Sequence, residues 1–292
     1  MHEALVCFSQ SGTLWTAGSD SPMSVVERIE YHDVEGLRVG RFTGQLNTTC
    51  ILYRLGGTVI DTGPPNQWRF VRRFLGERRV GKVLVTHHHE DHSGNLAAVQ
   101  RRFADTAYAP EAGIEPLSAG FPVQLYRRIV WGRPDRVRPA VVPARLEVAG
   151  GLSLVAVPTP GHSSDSTCFL LPERGWLFSG DLYIAARTRY LRRDESVDLQ
   201  IASLRRVLKL DFETLLCSHR GVLEEGRQLL ERKLDYLAAL RDKARELRAR
   251  GLEVYEISRL LLGREGWMRR FTRAHFSKEN LIESCLEGAG TS

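Results

Sequence analysis

Four histidines and two carboxylates fall within six consecutive positions, His87-His88-His89-Glu90-Asp91-His92, directly after the short β-branched run 82–86. Burying so many titratable groups at the end of a strand is costly unless something compensates for them. A bound metal ion provides that compensation, because imidazole nitrogen and carboxylate oxygen are the ligands zinc takes when no thiolate is offered. In a helix His87 and His92 would point in different directions. In a loop leaving a strand, His87 and His89 can converge on one ion while Asp91 and His92 turn toward a second. The chain must therefore fold so that further ligands arrive from the ends of other strands.

The rest of the sequence offers them. Residues 152–157 read as a strand, and His162 follows in the turn Pro160-Gly161-His162. A hairpin over 168–171 and 176–178 turns at Glu173-Arg174-Gly175, and Asp181 follows it in Ser179-Gly180-Asp181. Residues 214–217 form another strand candidate, with His219 just beyond. Earlier, two apolar runs flank Gly56-Gly57, a pair suited to a hairpin turn, and Arg69, Phe70, Arg73 and Phe74 have helical spacing up to Gly76. Leu96, Val99 and Phe103 mark one helix face, and Leu204, Val207 and Leu208 another. Six prolines between 110 and 143 leave no room there for long regular elements. Strands and helices thus interleave in two similar halves, an α/β pattern. From Leu223 to Arg250 the chain reads as one long amphipathic helix ending at Gly251. Shorter helices are expected over 254–262 and 278–286, the last capped by Ser277.

These segments divide the chain into a loose extension at 1–22, with Met23 as a candidate start, a catalytic domain at 23–222 and a helical region at 223–292. The 292 residues, 42% hydrophobic and 26% charged, suit a soluble globular chain. No apolar run approaches the roughly 18–20 residues of a membrane span, and the N-terminus is a poor secretory signal. Five scattered cysteines form no CxxC pair, which fits reduced thiols and a cytoplasmic location. The net charge of +6 comes with arginine clusters at 127–138 and 187–193, where Tyr126, Trp131 and Tyr190 could stack on bases or simply line a pocket.

Five motifs in order, VIDTG at 59–63, THHHEDH at 86–92, PGH at 160–162, SGD at 179–181 and SHRG at 218–221, make residues 45–222 resemble the metallo-β-lactamase superfamily. The resemblance implies a four-layer αββα sandwich carrying a C-terminal helical appendage. It implies a first metal site of His87, His89 and His162 and a second of Asp91, His92 and His219. Asp181 would bridge the two ions, and Asp61 would brace the site or cap a turn. His88 occupies a free position of the motif and reads as structural or solvent-facing. His2, His32 and His275 match nothing and read as surface residues, and Cys217 as a buried strand residue.

Two divalent ions, zinc or alternatively iron or manganese, about 3.5–4 Å apart, can hold a bridging water that ionises near neutrality and serves as the nucleophilic hydroxide. Asp91 is the candidate to orient it and carry a proton to the leaving group. An aspartate at 181, with cysteine absent from every metal position, resembles the glyoxalase II, lactonase and ribonuclease Z branches and not the antibiotic-hydrolysing enzymes. The long helix after His219 adds to the glyoxalase II-like resemblance. The chain departs from glyoxalase II itself at Ser218-His219-Arg220-Gly221 and at Arg187, Arg189 and Tyr190, where that enzyme offers a glutathione-binding lysine. Tyr183, Arg187, Arg189 and Tyr190 are the substrate-contact candidates. The first expectation is hydrolysis of a small thioester or ester. An endoribonuclease or phosphodiesterase, with RNA as partner, is the alternative, and an iron persulfide dioxygenase-like or non-catalytic member is a third reading. The sequence does not specify the oligomeric state.

Overall fold

The computed structural model describes residues 24–41 and 48–288, so the expected extension at 1–22, Met23 and His2 lie outside the described residues. The chain opens with β1 (Ser24–Tyr31), β2 (Val34–Arg41), β3 (Thr49–Leu55) and β4 (Thr58–Ile60), with β3 and β4 joined at Gly56-Gly57 as the hairpin chemistry requires. Then come α1 (Trp68–Leu75), β5 (Lys82–Leu84), α2 (Leu96–Arg102) and β6 (Thr106–Ala109). The proline-rich stretch holds only short elements: α3 (Ile114–Ala119), α4 (Leu125–Val130) and β7 (Ala140–Val141).

The second half repeats the theme with β8 (Arg145–Glu147), β9 (Ser153–Pro158), β10 (Thr167–Leu171) and β11 (Trp176–Gly180). After β12 (Leu191–Arg192) follow α5 (Val197–Val207), β13 (Thr214–Cys217) and β14 (Gly221–Leu223). The chain ends in α6 (Gly226–Ala249), α7 (Val254–Leu262), α8 (Trp267–Phe271), β15 (Phe276–Ser277) and α9 (Lys278–Leu286).

Strands β1 to β7 form one mixed sheet in sequence order, and β14-β13-β11-β10-β9-β8 form the other. Alternation along the strands decides the layering. Ile51, Tyr53 and Leu55 of β3 meet Phe169, Leu171 and Phe178 of the second sheet in the central cluster. Leu52 points the other way, toward Val71 and Phe74 of α1 and Val99 of α2. Cys168 and Leu170 of β10 likewise face outward, onto Ile201 of α5, Leu237 of α6 and Ile282 of α9. The result is helix, sheet, sheet, helix, the expected four layers. The C-terminal helices share one apolar cluster with the outer face of the second sheet.

The long helix starts later than its apolar stripe suggested. Leu223 pairs with Leu215 as the last residue of β14, and the helix begins at Gly226, where a Cβ would stand 2.5 Å from Leu215 Cγ. Gly251, at φ +90°, follows its end as expected. Ser277 caps α9 by accepting the Asn280 amide. The short α8 and the two-stranded β12-β15 pairing were not foreseen. Among the described residues no helix is long and apolar enough to cross a membrane.

Leu237 on α6 is fully buried in the cluster that joins these helices to the sheet. Leu237→Ala should cost about 2–5 kcal/mol in a denaturant titration. A loss under about 0.5 kcal/mol, the range of a surface change, would mean that α6 contributes little to the core.

Candidate metal centre

The first sheet hands the motif to a loop by letting β5 end early. The Thr86 amide leaves the ladder and donates to Asp61 Oδ1 at 2.8 Å, with the Thr86 hydroxyl donating to the same carboxylate. His89 O then accepts from the amides of His92 and Ser93, at 3.0 and 2.8 Å, closing a tight turn. Gly94 is obligatory here, since a Cβ would lie 2.2 Å from Glu90 O and 2.3 Å from Pro65 Cδ. The Asn95 side-chain amide donates to the carbonyls of Thr62, Gly63 and Pro64, which fastens the loop to the segment after β4. Asp61 itself sits at φ +62°, a conformation that aspartate tolerates better than most residues.

Seven side chains from four strand ends converge. Ligand atoms of His87, His89 and His162 lie within 4.8 Å of one another, as do those of Asp91, His92 and His219, and those of His87, His92 and Asp181. Asp181 stands between the groups: Oδ2 is 3.0 Å from His162 Nε2, and Oδ1 is 3.0 Å from His219 Nε2 and 3.2 Å from His92 Nε2. Asp91 Oδ2 lies 3.6 Å from His92 Nε2 and 3.7 Å from His219 Nε2.

Four of the imidazoles are aimed by a partner on the ring nitrogen that faces away. His87 Nδ1 meets the Thr86 hydroxyl at 3.0 Å, His92 Nδ1 meets Asp61 Oδ2 at 2.7 Å, His162 Nδ1 meets Glu195 Oε2 at 3.2 Å, and His219 Nδ1 donates to Thr49 O at 2.6 Å. Such partners fix the tautomer and ring direction of metal-ligating histidines. His89 differs, presenting Nδ1 inward, 3.2 Å from His162 Nε2.

The electrostatics favour an added cation. Burial pushes His87 and His89 well below the ordinary imidazole range, which keeps them neutral, the form a metal binds. Burial opposes charge on His92, His162 and His219 too. Cys50 nevertheless acts most to raise His92, and the surrounding carboxylates raise all three, Asp181 acting on each and Glu195 acting most on His162. Against its own desolvation, Asp181 is held well below the carboxylate range by His219, His92 and His162. Yet among the described residues His87 Nε2, His92 Nε2 and Asp181 Oδ1 are buried with no well-directed hydrogen bond, close as the Asp181 oxygen stands to the ring nitrogens of His92 and His219. Orphaned polar atoms of this kind are expensive, and these three residues offer ligand atoms within 4.8 Å of one another. The donor set therefore fits a divalent metal ion.

Above these groups opens a cavity of about 630 Å³, with His89, Asp91, His162, Asp181 and His219 at its floor. Of the residues expected to meet substrate, Arg187, Arg189 and Tyr190 line it, as do Tyr126 and Trp131. Tyr183 does not: it is buried in the apolar cluster under β13, where its carbonyl accepts from Cys217 Sγ at 2.9 Å. Its place two residues after Asp181 carries it inward. His275, expected at the surface, is half-buried, and its ring nitrogens meet Tyr126 Oη at 2.8 Å and Gln124 Nε2 at 3.1 Å. His32 is exposed and Cys217 buried in its strand. His88 turns away from the cluster onto Asp165 Oδ1 at 2.8 Å.

Several supporting residues escaped sequence reasoning. Arg192 donates to His162 O at 2.8 Å and is neutralised by Glu195, which also holds His162. Glu90, inside the motif, is wholly buried and grips the guanidinium of Arg127 on α4 through two hydrogen bonds of 2.5 and 2.7 Å. Lys233 reaches in from α6 to donate to Leu182 O at 2.7 Å. Proximity to a motif could have marked Glu90; nothing in the sequence marks the others.

The model of the metallo-beta-lactamase superfamily matches residues 43–219. An atrochrysone carboxyl ACP thioesterase of Aspergillus fumigatus is 30% identical over 181 residues, 59% of this chain and 51% of that one. The atrochrysone carboxyl ACP thioesterase nsrC of Aspergillus novofumigatus is 28% identical over 227 residues, 73% of this chain and 63% of that one. The chain thus spans between half and two thirds of the length of these relatives. A β-lactamase domain protein from Burkholderia ambifaria has the same fold, with TM-score 0.68 at 18% identity over 89% of this chain and 88% of that one.

Asp61→Asn keeps the shape and the left-handed tolerance of this residue but removes its charge beside His92. Chelator competition should then report metal affinity lowered about 10–100-fold. Unchanged affinity would leave Asp61 a turn residue only.

Proposed function

The chain belongs to the metallo-β-lactamase superfamily, and from that premise we propose that it is a metal-dependent hydrolase of thioesters, including thioesters borne on a carrier protein. The observation that carries this reading is the cavity. Metal-fitting groups form its floor, and aromatic and aliphatic side chains (Tyr126, Trp131, Ile184, Leu191, Met268, Phe276) supply an apolar wall for an acyl chain. The thioesterase relatives support it.

In this reading His87, His89 and His162 would hold one ion, Asp91, His92 and His219 would hold a second, and Asp181, standing between the two groups, would serve both. The nitrogen and oxygen donors suit zinc. The ions supply two things when bound: they acidify a water molecule and polarise the acyl oxygen.

The protein's own groups do the rest. Asp91 is only slightly exposed at the cavity floor, where its free oxygen can accept a proton from the attacking water. As the new C–O bond forms and the C–S bond breaks, the sulfur departs with the electron pair. Asp91 then returns the proton, giving acid and thiol. A thiol ionises near pH 8.5, so it leaves readily as thiolate and asks little of this last transfer. An alkoxide would ask much more. Arg192, through His162 O, and Glu195, through His162 Nδ1, keep that imidazole aimed while substrate enters.

Chelation of the metal should abolish thioester hydrolysis and readdition of zinc restore it. Asp91→Asn should lower kcat by about 10²–10⁴-fold, with a larger loss on an oxygen ester than on the thioester of the same acyl group. Equal losses on the two would remove Asp91 from proton transfer to the leaving group.

A further inference from the structure

Three segments meet at the cavity mouth, 120–133, 183–193 and 266–276, and each contributes to its lining. Together they carry ten arginines and no aspartate or glutamate, within a chain whose net charge is only +6. Arg127, Arg192 and Arg269 are consumed by Glu90, Glu195 and Glu279. Among the described residues the other seven, including the exposed Arg133, Arg187, Arg189 and Arg270, have no carboxylate within ion-pair distance.

The same rim exposes apolar surface. Leu125 and Ile129, one turn apart on α4, are 70% and 51% exposed, and Trp267 and Phe271, one turn apart on α8, are 63% and 51% exposed. The two helices adjoin, because Phe271 packs 5.9 Å from Tyr126 of α4 and 5.4 Å from Trp267. Exposed apolar side chains gathered on one face, with a charged rim, mark an interaction surface.

Unpaired cations alone would suit any polyanion. The aliphatic Leu125 and Ile129 narrow the choice, since they cannot stack on a base but can bury against an apolar residue of a protein. Tyr126 of α4 and Met268 of α8 line the cavity that leads to the metal-fitting floor, so a partner seated here would stand beside that cavity and reach the floor with its reacting bond on a flexible arm. We propose that the α4–α8 rim docks an acidic carrier protein, the arginines attracting its carboxylates while Leu125, Ile129, Trp267 and Phe271 cover its apolar face. This rests on the thioesterase reading above. Charge complementarity of this kind speeds encounter and fixes orientation, and so appears chiefly in binding and KM.

The test uses two thioesters of one acyl group, octanoyl-N-acetylcysteamine and an acidic acyl carrier protein bearing octanoyl on its phosphopantetheine arm. It uses two double variants outside the cavity lining, Arg133→Glu/Arg270→Glu and Ile129→Ser/Trp267→Ser. Each should raise KM for the carrier-borne substrate, and weaken anisotropy-detected binding of labelled carrier protein, by about tenfold or more. Turnover of the small thioester should stay within about twofold, which also reports that the variants fold. Carrier binding by the unaltered protein should weaken with added salt. Unchanged carrier kinetics in both variants, or equal losses on both substrates, would overturn the proposal. So would tight binding of a single-stranded RNA or of anionic vesicles with none of the carrier. If neither thioester is hydrolysed the thioesterase reading fails, and the carrier-binding measurement alone then decides the docking surface.

Discussion

One buried carboxylate ties the two sheets together at the point where the chemistry is held. Asp61 follows β4 in the first sheet and meets the Thr86 amide and hydroxyl, His92 Nδ1 at 2.7 Å and, from beyond β13 in the second sheet, the Ser218 hydroxyl at 3.1 Å. A buried carboxylate is tolerable only with such a set of donors. A non-glycine residue at φ +62° adds a cost of about 1–3 kcal/mol that the surrounding structure must over-determine. Both costs are met by the same four groups. In return the motif loop, the end of β5 and the turn carrying His219 become fixed relative to one another. The inward direction of the imidazoles then follows from local anchoring, without any one strand having to aim all of them.

The same anchoring sets the charge balance. His92 and His162 lean on Asp61 and Glu195 through the nitrogen that faces away, and their inner nitrogens crowd around Asp181. Neighbouring carboxylates raise these imidazoles, while burial, helped by neighbouring imidazoles and arginines, lowers His87 and His89. Protons and a divalent cation therefore compete for the same inner atoms, so metal affinity must fall as pH drops through the range where His92, His162 and His219 protonate.

Most of this centre is legible in the sequence because a metal site concentrates unusual residue types at short spacing. His87, His89, Asp91 and His92 announce themselves in one loop, and His162, Asp181 and His219 each follow a strand whose own alternation marks its end. The supporting set is different in kind. Arg192, Glu195, Asp165 and Lys233 are ordinary charged residues on ordinary stretches, and only the tertiary fold brings them to His162, His88 and Leu182. Tyr183 misleads for the same reason, since nearness in sequence to Asp181 does not say on which side of the strand end a side chain falls. Leu223 satisfies a helix stripe and a strand pairing equally well, and the close approach of Gly226 to Leu215 decides for the strand. The five-residue α8 is too short for any periodicity to reveal.

The C-terminal helices connect the core to the cavity wall. Leu230, Leu237, Leu281 and Ile282 belong to the cluster that covers the second sheet, so this region cannot move away without exposing a large apolar surface. The same region supplies Lys233, Met268, Thr272 and Phe276 to the cavity wall. The short pairing of β12 with β15 joins the two roles, since Leu191 and Arg192 border the cavity while Ser277 opposite Leu191 caps α9. Residues that line the cavity wall are thus mounted on elements held by core packing, whereas the metal-fitting groups are mounted on loops braced by hydrogen bonds. The two meet where Arg127 of α4 holds Glu90 of the motif loop and Arg192 donates to His162 O. The metal-fitting groups thus fall in four short motifs, while most residues of the cavity wall are spread over stretches that no motif contains.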